Sequence, residues 1–243
     1  MPRINSLASS STAYNPCGFL QAALASLGAT GIQSTTLSGN SESITGAAAE
    51  SGPFTAQCAV NGSSQLQFEG PSGARTEIRQ TSNGIPSGSW VDSQSVTHAM
   101  AWHNVLTPAT WFCPHIVLSS LLQSTNLNLQ LVGQGTKNGE PVIHITVTAI
   151  VSGSALPSDL TAHLTQTELY LDSTTYRPVA FDFNIHPDDN AALDMPVEIQ
   201  FSNYSNASGV WIPYSVEKLV NSAVSLNLQV ESASTSATAP QAQ

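Results

Sequence analysis

The chain has 243 residues, of which 9% are charged, against about 25% in an average soluble protein. Its formal net charge is -10, which repels phosphate backbones and anionic bilayers and excludes nucleic acid as a partner. Ser, Thr, Asn, Gln and Gly stand where charges would, and Lys137 and Lys218 are the only lysines, a composition of exported β proteins rather than cytosolic ones.

Residues 1–15 read as an N-terminal arm. Met1 to Ser11 lacks the charged head and apolar core of a signal peptide, so a periplasmic or otherwise exported protein is expected whose signal has been removed. The longest apolar run, Ile116 to Leu122, contains Ser119 and Ser120 and is too short to cross a bilayer. Cys17, Cys58 and Cys113 form no CxxC pair, which argues against a zinc ribbon or a thioredoxin-type site.

A helix is expected from Pro16 to Leu27. Asn15 can cap it, Pro16 suits its first turn and Gly28 can end it. Phe19, Leu20, Ala23, Leu24 and Leu27 then form one apolar stripe. From Thr35 the period becomes two. Phe54, Ala56, Cys58 and Val60 share a side, Leu66 and Phe68 alternate with polar residues, and Glu77 and Arg79 flank Ile78. Gly62, Gly70, Gly73 and Gly84 supply turns, so this is a meander of four or five strands.

The alternation stops at Ser95. Two helices are expected in the insertion 96–123, about Val96 to Val105 and Pro114 to Gln123, with Pro114 in the first turn of the second. Trp102, Val105, Leu106, Trp111, Phe112, Ile116 and Leu118 make the insertion far more apolar than a connector needs. Alternation then returns. Leu127, Leu129 and Leu131 share one side, as do Ile143, Ile145, Val147 and Ala149. A short helix or turn near Pro157 to His163 precedes Leu169 and Leu171, then Val179, Phe181, Phe183 and Ile185, then Val197, Ile199 and Phe201, and finally Leu226, Leu228 and Val230. Such alternation gives one covered and one wet face, as in antiparallel sheets. Residues 233–243 read as a disordered tail.

A mostly β fold follows: a curled antiparallel sheet of about 10 to 11 strands, forming a half-open barrel, with an N-terminal helix and a helical lid at 96–123. So large a sheet must curl, and its apolar concave face needs that lid. Residues 16–232 make up this domain.

The second half resembles the LolA/LppX/LolB-like lipoprotein-carrier family. The resemblance rests on Glu168-Leu-Tyr-Leu-Asp172, Tyr176-Arg-Pro178, Ile199-Gln-Phe-Ser-Asn-Tyr204 and Gly209-Val-Trp-Ile-Pro213, and on the element order over about residues 16 to 232. It implies a helix-capped half-barrel that accepts acyl chains. The chain departs from the carriers in one respect: no arginine matching the one associated with lid opening can be identified.

Catalytic constellations are weak. There is no G-x-S-x-G elbow, no H-E-x-x-H and no phosphate loop. The six histidines are scattered and read as surface or supporting groups. The loop from His186 to Asn190, with Asp194 beyond, offers oxygens for calcium but reads as a solvated hairpin loop. No catalytic residue, metal or cofactor is expected. The function expected is binding or carriage of a lipid, an acylated molecule or another apolar ligand. Its candidate contacts are Phe54, Phe68, Trp102, Trp111, Phe112, Leu129, Ile145, Phe181, Phe183 and Ile199. The alternative is a non-catalytic interaction module of the cell envelope, with a packed interior and a protein partner. Cys58 shares a face with Phe54, and Cys113 starts the second lid helix, so the two are expected to lie close together, a candidate disulfide in an oxidising compartment.

Overall fold

The computed structural model describes residues 15–82, 85–150 and 157–237. The expected turn at Gly84, nearly all of the expected arm and the end of the expected tail lie outside these residues.

Helix α1 (Pro16–Ser26) forms where its caps allow: the Asn15 side chain accepts the Cys17 N–H at 3.1 Å and Pro16 needs no donor there. It ends at Gly28, whose φ of +65 suits glycine; a Cβ there would also collide with the Gly209 carbonyl. Leu20, Ala23, Leu24 and Leu27 are buried against the sheet side.

An antiparallel meander follows: β1 (Ser34–Thr45), β2 (Ala48–Ala59), β3 (Ser64–Gly70), β4 (Gly73–Ser82), β5 (Ile85–Val91) and β6 (Thr97–Ala99). The lid region comes next, with a 3-10 turn at Asn104–Leu106 and helix α2 (Pro114–Gln123). The second meander holds β7 (Leu127–Lys137), β8 (Glu140–Ala149), helix α3 (Ser158–Thr165), β9 (Thr167–Asp172), β10 (Pro178–Ile185), β11 (Met195–Ala207), β12 (Val210–Val220) and β13 (Ala223–Ser236).

All thirteen strands form one open sheet in the order β6-β5-β4-β3-β2-β1-β13-β12-β11-β10-β9-β8-β7. The last strand closes onto the first, joining the two meanders at their centre. The edges are β6 and β7, which are neighbours in sequence. The lid is therefore the connection between the two edges, and topology alone carries it across the open side of the curled sheet.

The sheet curls far enough that β1, β2 and β8 to β13 share one core with α1 and α2. Phe54, Phe112, Phe181, Leu37, Ile116, Ile145 and Leu169 are its largest fully buried side chains. As the alternation required, Phe181 and Phe183 are buried, while Asp182 points to the other face and meets Lys137.

Four expectations change. The sheet has more strands than expected, because β6 adds a sixth member to the first meander. That strand replaces part of the expected helix from Val96 to Val105. Asp92 accepts the N–H groups of Gln94 and Val96, Ser95 takes φ 65, and the chain turns back so that His98 pairs with Trp90. The apolar residues read there as a helical stripe do not form one: Val96 and Trp102 are each 50% exposed. The tail starts later than expected, since residues up to Ser236 pair with β1. Finally, His103, His115 and His186 are buried rather than on the surface.

Candidate ligand-binding site under the lid

Residues paired across an antiparallel sheet point to one face, so register maps the concave wall. One row runs Leu131, Ile145, Leu169, Phe181, Ile199, Lys218, Leu226 from β7 to β13. Its neighbour runs Leu129, Val147, Thr167, Phe183, Val197, Val220. On the first meander the same face carries Phe54 and Phe68 opposite Arg75, and Leu37, Ala56 and Leu66 opposite Glu77. These rows are apolar except for Thr167, a charged strip on β4 and the ammonium of Lys218.

The lid is fixed to this wall at identifiable points. Cys113, where α2 begins, is disulfide-bonded to Cys58 on β2. His115, one step into α2, is hydrogen-bonded to Thr35 at 2.6 Å; burial pushes its pKa down to about 4, so the imidazole is neutral. Ser64 donates to the Ala109 carbonyl. Arg79 is 6% exposed and donates to the Asn104 carbonyl at 2.9 Å and to Thr107 Oγ1 at 3.0 Å. Gly88 opposite leaves room for the Arg79 stem; a Cβ there would stand 3.0 Å from it. Asn104 in turn binds both backbone groups of His186, at 2.9 and 2.7 Å, spanning from the first meander to the end of β10.

Between lid and wall lies a cleft of about 160 Å³, lined by Leu106, Pro108, Val117, Leu121, Leu127 and Val147 among others. It is smaller than the roughly 300–1,000 Å³ of an ordinary small-molecule pocket. A larger hollow of about 350 Å³ lies on the polar side of the second meander, lined by His163, Glu168, Asp182, Asp194 and Glu198. There Lys137 bridges Asp182 at 2.7 Å and Glu198 at 3.0 Å. Burial raises the Asp182 pKa while hydrogen bonds from Asn138 and Lys137 lower that of Glu198 against its own desolvation.

At one end of that hollow, Asp194 Oδ1 stands 2.9 Å from His163 Nε2 and 3.1 Å from His186 Nε2. Burial lowers the His186 pKa. Two imidazoles and a carboxylate are a donor set that first-row divalent ions accept. Among the described residues this is the one group of three such ligands that converges.

Of the candidate contacts, Phe54, Phe68, Trp111, Phe112, Ile145, Phe181, Phe183 and Ile199 are buried, and Leu129 is half-buried against the same core. Trp102 is exposed and is not brought to the wall. Sequence reasoning missed Arg79, because Glu77 and Arg79 flanking Ile78 read as the wet face of β4. It missed Lys218 because a charged side chain reads as solvent-facing. For Lys218 the signal was there in parity, which it shares with Val216 and Val220; for Arg79 there was none.

Three solved structures share this architecture. A domain from Vibrio parahaemolyticus, provisionally described as an outer membrane lipoprotein-sorting protein domain, is 12% identical, with TM-score 0.56 over 91% of this chain and 93% of its own. A LolA superfamily protein from Nitrosomonas europaea is 11% identical, with TM-score 0.56 over 91% and 93%. A DUF1329 family protein from Desulfovibrio piger is 11% identical, with TM-score 0.57 over 91% and 94%. No protein-family model and no curated protein sequence matches the chain. The fold is a divergent LolA-like fold, the one the strand and turn motifs of the second half suggested.

Proposed function

We propose that the protein is a non-catalytic, extracytoplasmic carrier that takes the apolar part of a lipid or acylated ligand between the lid and the concave wall. The observation that carries this reading is the lid itself. It joins the two sheet edges, covers a largely apolar wall, and leaves a cleft lined by Leu106, Val117, Leu121, Leu127 and Val147 together with the hydroxyls of Thr110, Ser120, Thr165 and Thr167. Polar bonds from Arg79 and Asn104 hold the segment before α2, and such bonds can exchange for water when the segment lifts. The Vibrio parahaemolyticus domain, provisionally assigned to lipoprotein sorting, supports the same reading. Sparse charge and the Cys58–Cys113 disulfide support an oxidising compartment outside the cytoplasm.

The small cleft favours one rival: a packed interaction module of the cell envelope that binds a protein partner on its outside. Native mass spectrometry of freshly purified protein separates the two. The carrier reading expects a co-purifying lipid, or a saturable rise in melting temperature when a fatty acid is added. A protein that co-purifies with no lipid and is unchanged by fatty acids and lysolipids is the packed module instead.

A further inference from the structure

We propose that Lys218 is the headgroup contact of this cup, so that the ligand is an anionic amphiphile carrying a carboxylate or phosphate; the inference rests on the carrier reading above. Lys218 stands on β12 between Ile199 and Leu226, and is the one polar member of a seven-residue row that is otherwise Leu, Ile and Phe. Its ammonium lies 4.9 Å from the centre of the Trp111 ring, which belongs to the lid. Among the described residues no side chain or carbonyl accepts a hydrogen bond from it. The charges that act on it are Glu77, which favours the ammonium, and Arg79, which opposes it. One anion against two cations leaves this spot positive inside a chain of net charge -10.

The other lysine makes the contrast. Lys137, on the outer face, holds two carboxylates within 3.0 Å. Lys218 is half-buried, with the Trp111 ring face against its ammonium and Leu, Ile and Phe along its row. An ammonium with no carboxylate bonded to it has room for an oxyanion. A fatty carboxylate or a lysophospholipid phosphate supplies one; its chain reaches the row toward Phe181 and Ile145, both fully buried in this structure, only when the lid lifts.

The test titrates the intact, disulfide-bonded protein with oleate, oleoyl lysophosphatidate and oleyl alcohol below their aggregation concentrations. Wild type should bind both anions about tenfold or more tightly than the alcohol, and the stronger of the two identifies carboxylate or phosphate. Lys218→Met should remove that preference, leave alcohol affinity unchanged, and melt no lower than wild type. Equal binding of all three probes, or a preference that survives in Lys218→Met, overturns the headgroup role and leaves the carrier reading intact. Binding of none overturns both.

The trio at the polar hollow carries a second inference independently. We infer that His163, His186 and Asp194 form a zinc-class metal site. Their ligand atoms come from α3, the residue after β10 and the loop before β11, and all lie within 4.8 Å of one another. The adjoining hollow leaves space for a water as a further ligand. Zinc chloride titrated into chelator-treated protein should bind one ion per chain, seen by calorimetry and by metal analysis after dialysis. His163→Ala and Asp194→Asn alter partly exposed groups and should fold normally. Each should weaken binding by more than the roughly 10–100-fold that loss of an outer-sphere partner costs. No binding, or binding indifferent to both substitutions, overturns the site and leaves a purely hydrogen-bonded clasp.

Discussion

Cys58 on β2 and Cys113 at the start of α2 are bonded across 55 residues, with Cα atoms 6.8 Å apart. The bond turns the lid from a free flap into a lever. Its covalent end is at Cys113 beside the buried His115, the segment through Asn104 is held only by hydrogen bonds, and the far end of α2 carries the half-buried Leu121 and Leu122. On the carrier reading, opening is a swing about the disulfide that breaks those hydrogen bonds, rather than the lifting of the whole insertion as one unit. Reducing the bond should lower stability by about 3–4 kcal/mol at most, and hydrogen exchange should speed up first in residues 101–123. Equal exchange there in oxidised and reduced protein would mean that the packing of Phe112 and Ile116, not the disulfide, sets the lid.

Arg79 is the second holdfast. Arg79→Met keeps the stem but removes the donors to Asn104 and Thr107 and the ion-pair partner of Glu77, at a cost of about 1–3 kcal/mol for these charged hydrogen bonds. A latch predicts more: the variant should take up a fatty-acid probe faster than wild type in stopped-flow mixing, although it is less stable. A slower or unchanged uptake rate would reduce Arg79 to a structural prop.

The sheet was legible because its strands alternate strictly. Phe181 and Phe183, like Val197, Ile199 and Phe201, are buried as their alternation requires, while Val179 and Ile185 are only half-buried and Ala180 is buried in their place beside the register shift at the start of β10. The Cys58–Cys113 proximity followed from the same parity. The segment from Val96 to Val105 was not legible, because its apolar residues, with Ala99 to Trp102 in one run, suit a helix as well as a strand and turn, and Val96 and Trp102 are half-exposed. What decides its shape is the Asp92 turn, a local side-chain-to-backbone arrangement that hydrophobic spacing cannot report. The site charges were illegible for a different reason. Only the curl of the sheet brings Glu77 and Arg79 of β4 near Lys218 of β12, strands separated in the sheet by β3, β2, β1 and β13.

Tryptophan emission should separate the two lid tryptophans. Trp111 is 2% exposed beneath the lid and Trp102 is 50% exposed. Iodide should quench Trp102 and spare Trp111. A bound amphiphile should change the emission of Trp111, so Trp111→Phe should abolish most of the ligand signal and Trp102→Phe should leave it. If Trp102→Phe alone removes the signal, the ligand sits on the outside of the lid segment.

His115 should make stability fall on mild acidification. Burial lowers its pKa from 6.5 in the unfolded chain to about 4 in the folded one. The unfolded chain therefore takes up the proton first. The contribution is fully present above the unfolded value and is lost as pH falls from 6.5 toward 4. Between about pH 7.5 and pH 5 the loss should be about 2 kcal/mol. His186, whose pKa burial also lowers, adds to the same fall, so the His115 share is read from the variant. Urea denaturation of wild type and His115→Gln at both pH values isolates the effect. The variant will start less stable, because the Thr35 bond is lost, but its stability should change by much less between the two conditions. Equal slopes for the two proteins would mean that His115 keeps enough access to water to titrate normally, and that the lid over β1 is open in solution.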